Sequence, residues 1–156
     1  MIEIDIPGNT VLRCEHLVLD FNGTLACDGR MLPGLGARLS DLARDVQVHV
    51  LTADTFGDVR TQLADLPCRL HVLEPGRQDA AKASYVRSLG ANRTMAIGNG
   101  RNDCRMLALA ALGIAVILTE GAAVQTLVAA DIVCTSILDA LDLLRNPLRL
   151  AATLRV

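Results

Sequence analysis

Aromatic residues are scarce in this chain of 156 residues, which has no tryptophan, one tyrosine and two phenylalanines. Lysine and arginine number 15 against 17 aspartates and glutamates, and they form no basic block. Proteins that bind nucleic acids rely on basic patches and often on aromatic stacking. We therefore expect no nucleic-acid partner, and we expect a core built from leucine, valine, isoleucine and alanine.

The chain also lacks an apolar run long enough for a membrane span, and its first five residues (MIEID) do not open a secretory signal. These absences favour a cytoplasmic protein with no membrane partner. The five cysteines are an odd number without a Cys-x-x-Cys pair, which argues against a disulfide framework and a zinc site. Only Cys27 and Cys104 lie close to the motifs described below.

Short apolar runs alternate along the chain with longer segments of helical periodicity, a pattern that predicts a parallel α/β sheet. Residues 1–14 instead predict a short antiparallel hairpin around the turn Pro7-Gly8-Asn9. The strands predicted after it are 16–20, 46–51, 69–73, 94–97, 114–118 and 131–134. The predicted helices are 33–44, 56–66, 78–89, 102–112, 122–129 and 137–145, with Pro147 as a stop.

This order of elements predicts a single domain, 1–156, with an α/β fold: a three-layer, Rossmann-like parallel sheet with helices on both faces. An inserted cap domain would need far more chain than lies between Leu25 and Val46. We therefore expect a capless domain whose active face is open or is covered by another copy in a homo-oligomer.

The segment DFNGTL, residues 20–25, follows the first central strand of the predicted sheet. Ligands of open α/β sheets bind at the carboxyl ends of strands. Asp20 could present a carboxylate oxygen to a phosphorus atom, while N–H groups of the turn and a hydroxyl hold the phosphoryl oxygens. The alternative is an aspartate that merely ends a strand before an ordinary turn.

Two further residues have a weaker signal when each is taken alone. Thr52 follows strand 46–51, where its hydroxyl could bind a phosphoryl oxygen, although threonine is common at strand ends. Lys82 lies in helix 78–89, and most helical lysines are solvated surface charges. Its functional interpretation is a cation that neutralises a bound phosphate, and on that interpretation its substitution should leave folding unaffected.

The loop GNGRND, residues 98–103, follows strand 94–97. Its two glycines permit a tight turn, and Asn99, Asn102 and Asp103 offer oxygen ligands for a hard cation such as Mg²⁺. Asp103 could coordinate the ion, or it could only be favourable in the first turn of the following helix.

In this order, the four segments resemble those of the haloacid dehalogenase (HAD) superfamily. Within it they are most similar to a free-standing phosphorylation domain of a P-type ATPase. That domain has an aspartate-initiated turn ending in Gly-Thr, a Leu-Thr-x-Asp segment, a lysine and a Gly-x-Gly-x-Asn-Asp loop. The likeness continues through residues 106–110, 113–115 and 129–133, so it covers most of the chain.

The resemblance implies that Asp20 attacks a phosphoryl group and forms an aspartyl-phosphate. The residues implied to surround the phosphate and support the turn are Thr52, Lys82, Gly23, Thr24 and Ala53. Those implied to bind the cofactor Mg²⁺ are Asp20, Asn22 through its carbonyl, Asn99 and Asp103.

Asn22 and Asn99 depart from the pattern of the superfamily's phosphatases, which usually have aspartate at both positions. An amide cannot serve as the general acid or base, whose help is typically worth about 10²–10⁴-fold, so we expect slow turnover. P-type ATPases also lack an aspartate at the position of Asn22, so this residue does not exclude phosphorylation. Asn99 removes a negative charge from the cation site and should weaken it.

Two hypotheses about function follow from these segments. The first is a Mg²⁺-dependent phosphohydrolase that acts on a small phosphate ester or acyl phosphate, or on a phosphorylated macromolecule. The alternative is a non-catalytic regulatory or interaction module that retains the phosphate and Mg²⁺ pocket. Asn22 and Asn99 favour the alternative, whereas the retained acidic, hydroxyl and ammonium groups favour the enzyme.

Overall fold

A computed structural model describes residues 1–54 and 57–156 of the chain. The strands are β1 (Ile2–Asp5), β2 (Val11–Cys14), β3 (His16–Asp20), β4 (Ala26–Cys27), β5 (Arg30–Met31), β6 (Gln47–Thr52), β7 (Cys68–Val72), β8 (Thr94–Gly98), β9 (Leu112–Val116) and β10 (Ile132–Cys134). The α-helices are α1 (Leu35–Leu42), α2 (Val59–Gln62), α3 (Gln78–Leu89), α4 (Cys104–Leu109), α5 (Val124–Ala129), α6 (Ile137–Arg145) and α7 (Pro147–Leu154). Two short 3₁₀ turns, Ala91–Arg93 and Arg101–Asp103, flank β8.

Six strands form one parallel sheet in the order β10-β9-β8-β3-β6-β7. Strands β1 and β2 pair as the predicted antiparallel hairpin, with Ile2 opposite Cys14. Strands β4 and β5 form a second small hairpin that the sequence did not predict. The predicted α/β fold with a separate N-terminal hairpin is thus confirmed.

Hydrophobic residues pack on both faces of the sheet, because successive side chains of a strand point to opposite sides. In β3, Leu17 and Leu19 join the larger core, which also includes residues of α1, α6 and α7. Val18, between them, joins a smaller core with residues of α3 and α4. The sheet therefore lies between two helical layers, as the three-layer prediction requires.

Several predicted boundaries are wrong. The predicted helix 102–112 ends at Leu109, and Gly113 lies inside β9 instead of ending that helix. A Cβ atom at Gly113 would lie 2.6 Å from the carbonyl oxygen of Leu107, so glycine lets α4 approach the sheet closely. Pro147 does not stop the helical part of the chain but begins α7, since proline fits a first helical position.

Two further predictions concern the segment between β6 and β7 and the segment between β3 and β6. The predicted helix 56–66 begins outside the described residues, and α2 is the helix found in its described part. Between Leu25 and Val46, where a cap would be inserted, the chain forms β4, β5 and α1.

Among the described residues, no helix combines the length and the apolar character needed to cross a bilayer.

Candidate active site

Three neighbouring strands carry candidate residues at the same edge of the sheet. Strand β3 lies between β8 and β6, and all three run parallel, so their carboxyl ends meet. Asp20 ends β3, Thr52 ends β6 and Asn99 follows β8 directly. This edge is where open α/β sheets bind ligands.

Lys82 of α3 joins two carboxylates at this edge. Its side chain is 1% exposed, and its ammonium Nζ donates to Asp20 Oδ1 and to Asp103 Oδ1, each at 2.6 Å. We call these three side chains the acidic cluster. Lys82 is therefore not a solvated surface charge. Removing it would leave two buried carboxylates facing each other, which contradicts the expectation that its substitution leaves folding unaffected.

The acidic cluster has one negative charge in excess in a space that largely excludes water. Burial, reinforced by repulsion from Asp103, raises the pKa of Asp20 to about 7 even though the Lys82 ammonium lies against it. Burial also disfavours the charged form of Lys82, but the two carboxylates outweigh burial and hold the pKa of Lys82 above its usual value. Both shifts favour additional positive charge, which a bound cation would supply.

The loop after β8 fixes the orientation of Asp103. Its Oδ2 atom accepts hydrogen bonds from the backbone N–H groups of Asn99 at 3.0 Å and Gly100 at 2.8 Å. A Cβ atom at Gly98 would lie 2.5 Å from Asp103 Cγ, so this turn leaves no room for a side chain there. The two oxygens of Asp103 thus face a backbone turn on one side and Lys82 on the other.

The turn after Asp20 packs directly against that loop. Thr24 Oγ1 donates to Asp20 Oδ2 at 3.1 Å and lies 3.4 Å from Asn99 Oδ1. Gly23 has a positive φ of 79°, and a Cβ atom there would lie 2.3 Å from Asn99 Nδ2. Glycine is therefore required at this position both by its backbone conformation and by the close approach of Asn99.

The two asparagines that replace the expected aspartates have different surroundings. Asn99 Nδ2 donates to the carbonyl of Gly121 at 2.9 Å, a bond that an aspartate could not donate, and its Oδ1 faces Thr24. Among the buried side-chain nitrogens and oxygens of the described residues, Asn22 Oδ1 is the one without a hydrogen-bond partner. Such an orphaned acceptor costs about 1–3 kcal/mol, so a donor from a ligand or water would be favourable there.

Thr52 and Ala53 lie at the same edge but form no side-chain hydrogen bond with the acidic cluster among the described residues. The Thr52 hydroxyl is buried and accepts a hydrogen bond from the backbone N–H of Asp54 at 2.9 Å. Ala53 follows it and is half-buried. Their implied role around a phosphate, like the roles of the other site residues, stays a prediction.

A cavity of about 450 Å³ that the sequence did not predict lies between the start of α3 and the loop after β8, lined by Gly76, Arg77, Gln78, Asp79, Arg101 and Asn102. In the sequence, only the spacing of two of its residues from Lys82 and Asp103 could have indicated this cavity. Gln78 precedes Lys82 by four residues on the same helix, and Asn102 directly precedes Asp103. Residues four apart on a helix share one face.

Cys27, which the sequence placed near a motif, is half-buried and lies close to the exposed residues Asp28 and Glu120. Their possible metal-ligand atoms lie within 4.8 Å of one another. The Asp28 N–H donates to the Glu120 carboxylate at 2.8 Å, so a hydrogen bond accounts for this approach.

Comparison with solved structures shows the fold of HAD hydrolases, as the resemblance implied. The cobalt-bound deoxy-D-mannose-octulosonate 8-phosphate phosphatase of Haemophilus influenzae matches with a TM-score of 0.72 and 18% identity, over 92% of this chain and 94% of that one. The corresponding phosphatase of Moraxella catarrhalis, in complex with magnesium, phosphate and KDO, matches with a TM-score of 0.66 and 16% identity, over 86% and 87%. The catalytic domain of the CPx-ATPase CopB-B matches with a TM-score of 0.57 and 25% identity, over 76% of this chain and 46% of that one.

A curated relative is more similar in sequence. The uncharacterized protein MJ0073 of Methanocaldococcus jannaschii is 54% identical over 63 residues, which are 40% of this chain and 68% of that protein. No family model matches the chain. The chain therefore has the HAD fold and belongs to the same family as this archaeal protein.

Proposed function

We propose that this chain is a divalent-cation-dependent phosphohydrolase that works through a phosphorylated Asp20. The observation that carries the proposal is the buried acidic cluster of Asp20, Lys82 and Asp103 at the carboxyl end of the central strand. Burying three charges with one in excess is costly for a fold, so a charged ligand explains the cluster better than stability does. Phosphatases among the proteins of similar fold support this proposal.

Mg²⁺ fits the donors present at this edge. Asp20, Asp103 and Asn99 offer oxygen ligands, which hard cations prefer, and the excess negative charge favours a divalent ion. Asn22 would add its carbonyl. When bound, the ion would neutralise the excess charge and polarise the phosphoryl oxygens. The neutral amide of Asn99 makes this site weaker than one with a third carboxylate.

In the first half of the reaction, an oxygen of Asp20 forms a bond to the phosphorus atom. The bond from phosphorus to the leaving oxygen breaks, and that oxygen departs with the electron pair. The Lys82 ammonium lies against Asp20 and balances the charge that the phosphoryl group brings. Because Asn22 has no acidic proton to give, acyl and aryl phosphates are the favoured substrates, since their leaving groups need little protonation.

In the second half, a water attacks the phosphorus of the aspartyl-phosphate. The bond from phosphorus to the Asp20 oxygen breaks, phosphate leaves, and the water's proton passes to solvent. The Oδ1 atom of Asn22 is buried without a hydrogen-bond partner, and an amide cannot take the proton of this water. We therefore expect the phosphorylated form to accumulate.

A phosphate-binding module without turnover is the second candidate function. The amides of Asn22 and Asn99 favour it because both replace carboxylates that would help turnover or cation binding. The two candidates share the pocket and differ in whether the phosphoryl group is transferred to Asp20.

Incubation with Mg²⁺ and acetyl phosphate or an aryl phosphate tests the proposal. We expect a phosphorylated protein and slow release of phosphate, and both should vanish in Asp20→Asn. The matched control is Asp65→Asn, which changes an exposed aspartate and should behave like the parent. Binding of phosphate without any phosphorylation of the parent would favour the second candidate. An equal rate of phosphate release in Asp20→Asn and the parent would overturn the assignment of Asp20.

A further inference from the structure

We infer that the substrate is a small phosphate ester with a second anionic group, which Arg77 and Arg101 bind at the rim of the site. The inference rests on the proposed function for the position of the phosphoryl group, at Asp20 and Lys82. A carboxylate is the smallest second group that these arginines would recognise.

Two residues that line the cavity of Arg77 and Arg101 are chain neighbours of the acidic cluster: Gln78 lies four residues before Lys82 on α3, and Asn102 directly precedes Asp103. Asn102 Nδ2 donates to Gln78 Oε1 at 3.0 Å, and this bond joins α3 to the loop that contains Asp103. One helical turn, about 5.4 Å, separates Gln78 from Lys82 along α3. The cavity therefore begins about one helical turn along α3 from the lysine that would face the phosphoryl group, and we place the second anionic group there.

Positive charge is in excess around this cavity. The carboxylate of Asp79 pairs with Arg77 at 3.1 Å and with Arg105 at 3.3 Å, so one acid is shared by two arginines. Arg101 is exposed and forms no ion pair among the described residues. The formal net charge of the chain is −2, so this rim differs in sign from the molecule as a whole.

Arginine suits a second anionic group for a geometric reason. Its planar guanidinium donates two parallel hydrogen bonds to one carboxylate, and its long side chain reaches across an open cavity. The phosphoryl group itself must reach Asp20, which does not line this cavity. The arginines of the rim are therefore left for another anionic group on the same molecule.

The first test compares two phosphate esters that differ at one carbon, 3-phosphoglycerate with a carboxylate and glycerol 3-phosphate with a neutral hydroxymethyl group. Both are alkyl phosphates that we expect to be hydrolysed slowly, so the test compares their kcat/KM values with each other. We expect kcat/KM to be at least about tenfold higher for 3-phosphoglycerate, the size of one charge-assisted contact. The double variant Arg77→Gln/Arg101→Gln should lose that preference, with the ratio of its kcat/KM values for the two esters falling to within about twofold of one. Arg87→Gln, an exposed arginine near the other end of α3, is the control.

The second test measures binding without turnover. Calorimetry with Mg²⁺ and each of the two esters is run on Asp20→Asn, with and without the two arginine substitutions. A preference for 3-phosphoglycerate that disappears with the arginines supports the inference, even if the parent hydrolyses neither ester and the proposed function fails. Equal affinity for both esters overturns the inference, even if the parent hydrolyses both.

Discussion

Helix α3 contributes Lys82 and Tyr85, three residues apart, to two different polar clusters. One cluster has an excess charge and the other is neutral. Lys82 lies between the carboxylates of the acidic cluster. The Tyr85 hydroxyl lies 2.9 Å from His49 Nδ1, and His49 Nε2 lies 3.2 Å from His16 Nδ1. We call these last three side chains the histidine chain. Both clusters lie between α3 and the sheet, but only the acidic cluster lies at the carboxyl edge.

The difference between the two clusters lies in their charge balance. Burial, reinforced by the positive charge of a protonated His16 and of Arg69, lowers the pKa of His49 to about 4, so the histidine chain is neutral near pH 7. Neutral imidazoles and a hydroxyl satisfy one another as donors and acceptors. The acidic cluster instead has an excess charge, and Asn22 near it has an orphaned acceptor. An uncompensated charge and an unpaired acceptor, rather than the burial of polar groups alone, distinguish the candidate ligand site from the histidine chain.

The largest expected effect comes from adding a carboxylate near the acidic cluster. Asn22→Asp would supply the missing general base, so steady-state hydrolysis of an alkyl phosphate should rise by a sizeable part of about 10²–10⁴-fold. The level of phosphorylated protein should fall at the same time, because its hydrolysis is accelerated. Rapid-quench measurement of the phosphorylated fraction, together with the steady-state rate, checks both expectations.

Asn9→Asp is the matched control for that variant, since it makes the same change in the exposed turn of the N-terminal hairpin. It should leave the rate and the phosphorylated fraction unchanged. If the parent already hydrolyses alkyl phosphates quickly and Asn22→Asp gives no gain, another group acts as the base.

The sequence allowed the fold and most of the acidic cluster to be predicted, because both depend on local patterns. Strand β3 and helices α3 and α6 have the predicted bounds, since apolar periodicity and caps define them. Asp20 and Asp103 could be selected because each follows an apolar strand in a glycine-containing motif.

What the sequence did not reveal depends on contacts between distant segments. Gly113 looked like a helix end, and its close approach to α4 appears only in three dimensions. Pro147 fits both the end and the start of a helix, so the pattern could not distinguish them. The burial of Lys82 and the pairing of His16 with His49 join residues far apart in the chain, and no local periodicity encodes them.

The second largest effect comes from removing the ammonium of the acidic cluster. Lys82→Met leaves Asp20 and Asp103 buried without a counter-charge, so the free energy of unfolding near pH 7 should fall by about 3–5 kcal/mol in the absence of Mg²⁺. Urea denaturation measures this loss. Mg²⁺ should restore part of it by supplying positive charge, whereas Arg87→Met, at an exposed position on α3, should change stability by less than about 0.5 kcal/mol. A Lys82→Met variant as stable as the control would mean that the carboxylates are not buried as the structure shows.

The smallest effect concerns the histidine chain and appears only in acid. His49 has a pKa of about 4 in the folded protein against 6.5 when exposed, so below 6.5 the unfolded chain binds a proton that the folded chain does not. Stability is therefore fully present above pH 6.5 and is lost as the pH falls toward 4, by at most about 3 kcal/mol from this residue.

His49→Gln keeps a polar amide at this position but cannot titrate, so urea denaturation at about pH 7 and about pH 4.5 should show a smaller acid loss than in the parent. His71→Gln, an exposed neighbour of Tyr85, should lose as much stability as the parent. An equal acid loss in His49→Gln and the parent would mean that the acid sensitivity arises from the carboxylates and that the histidine chain is already protonated or solvated.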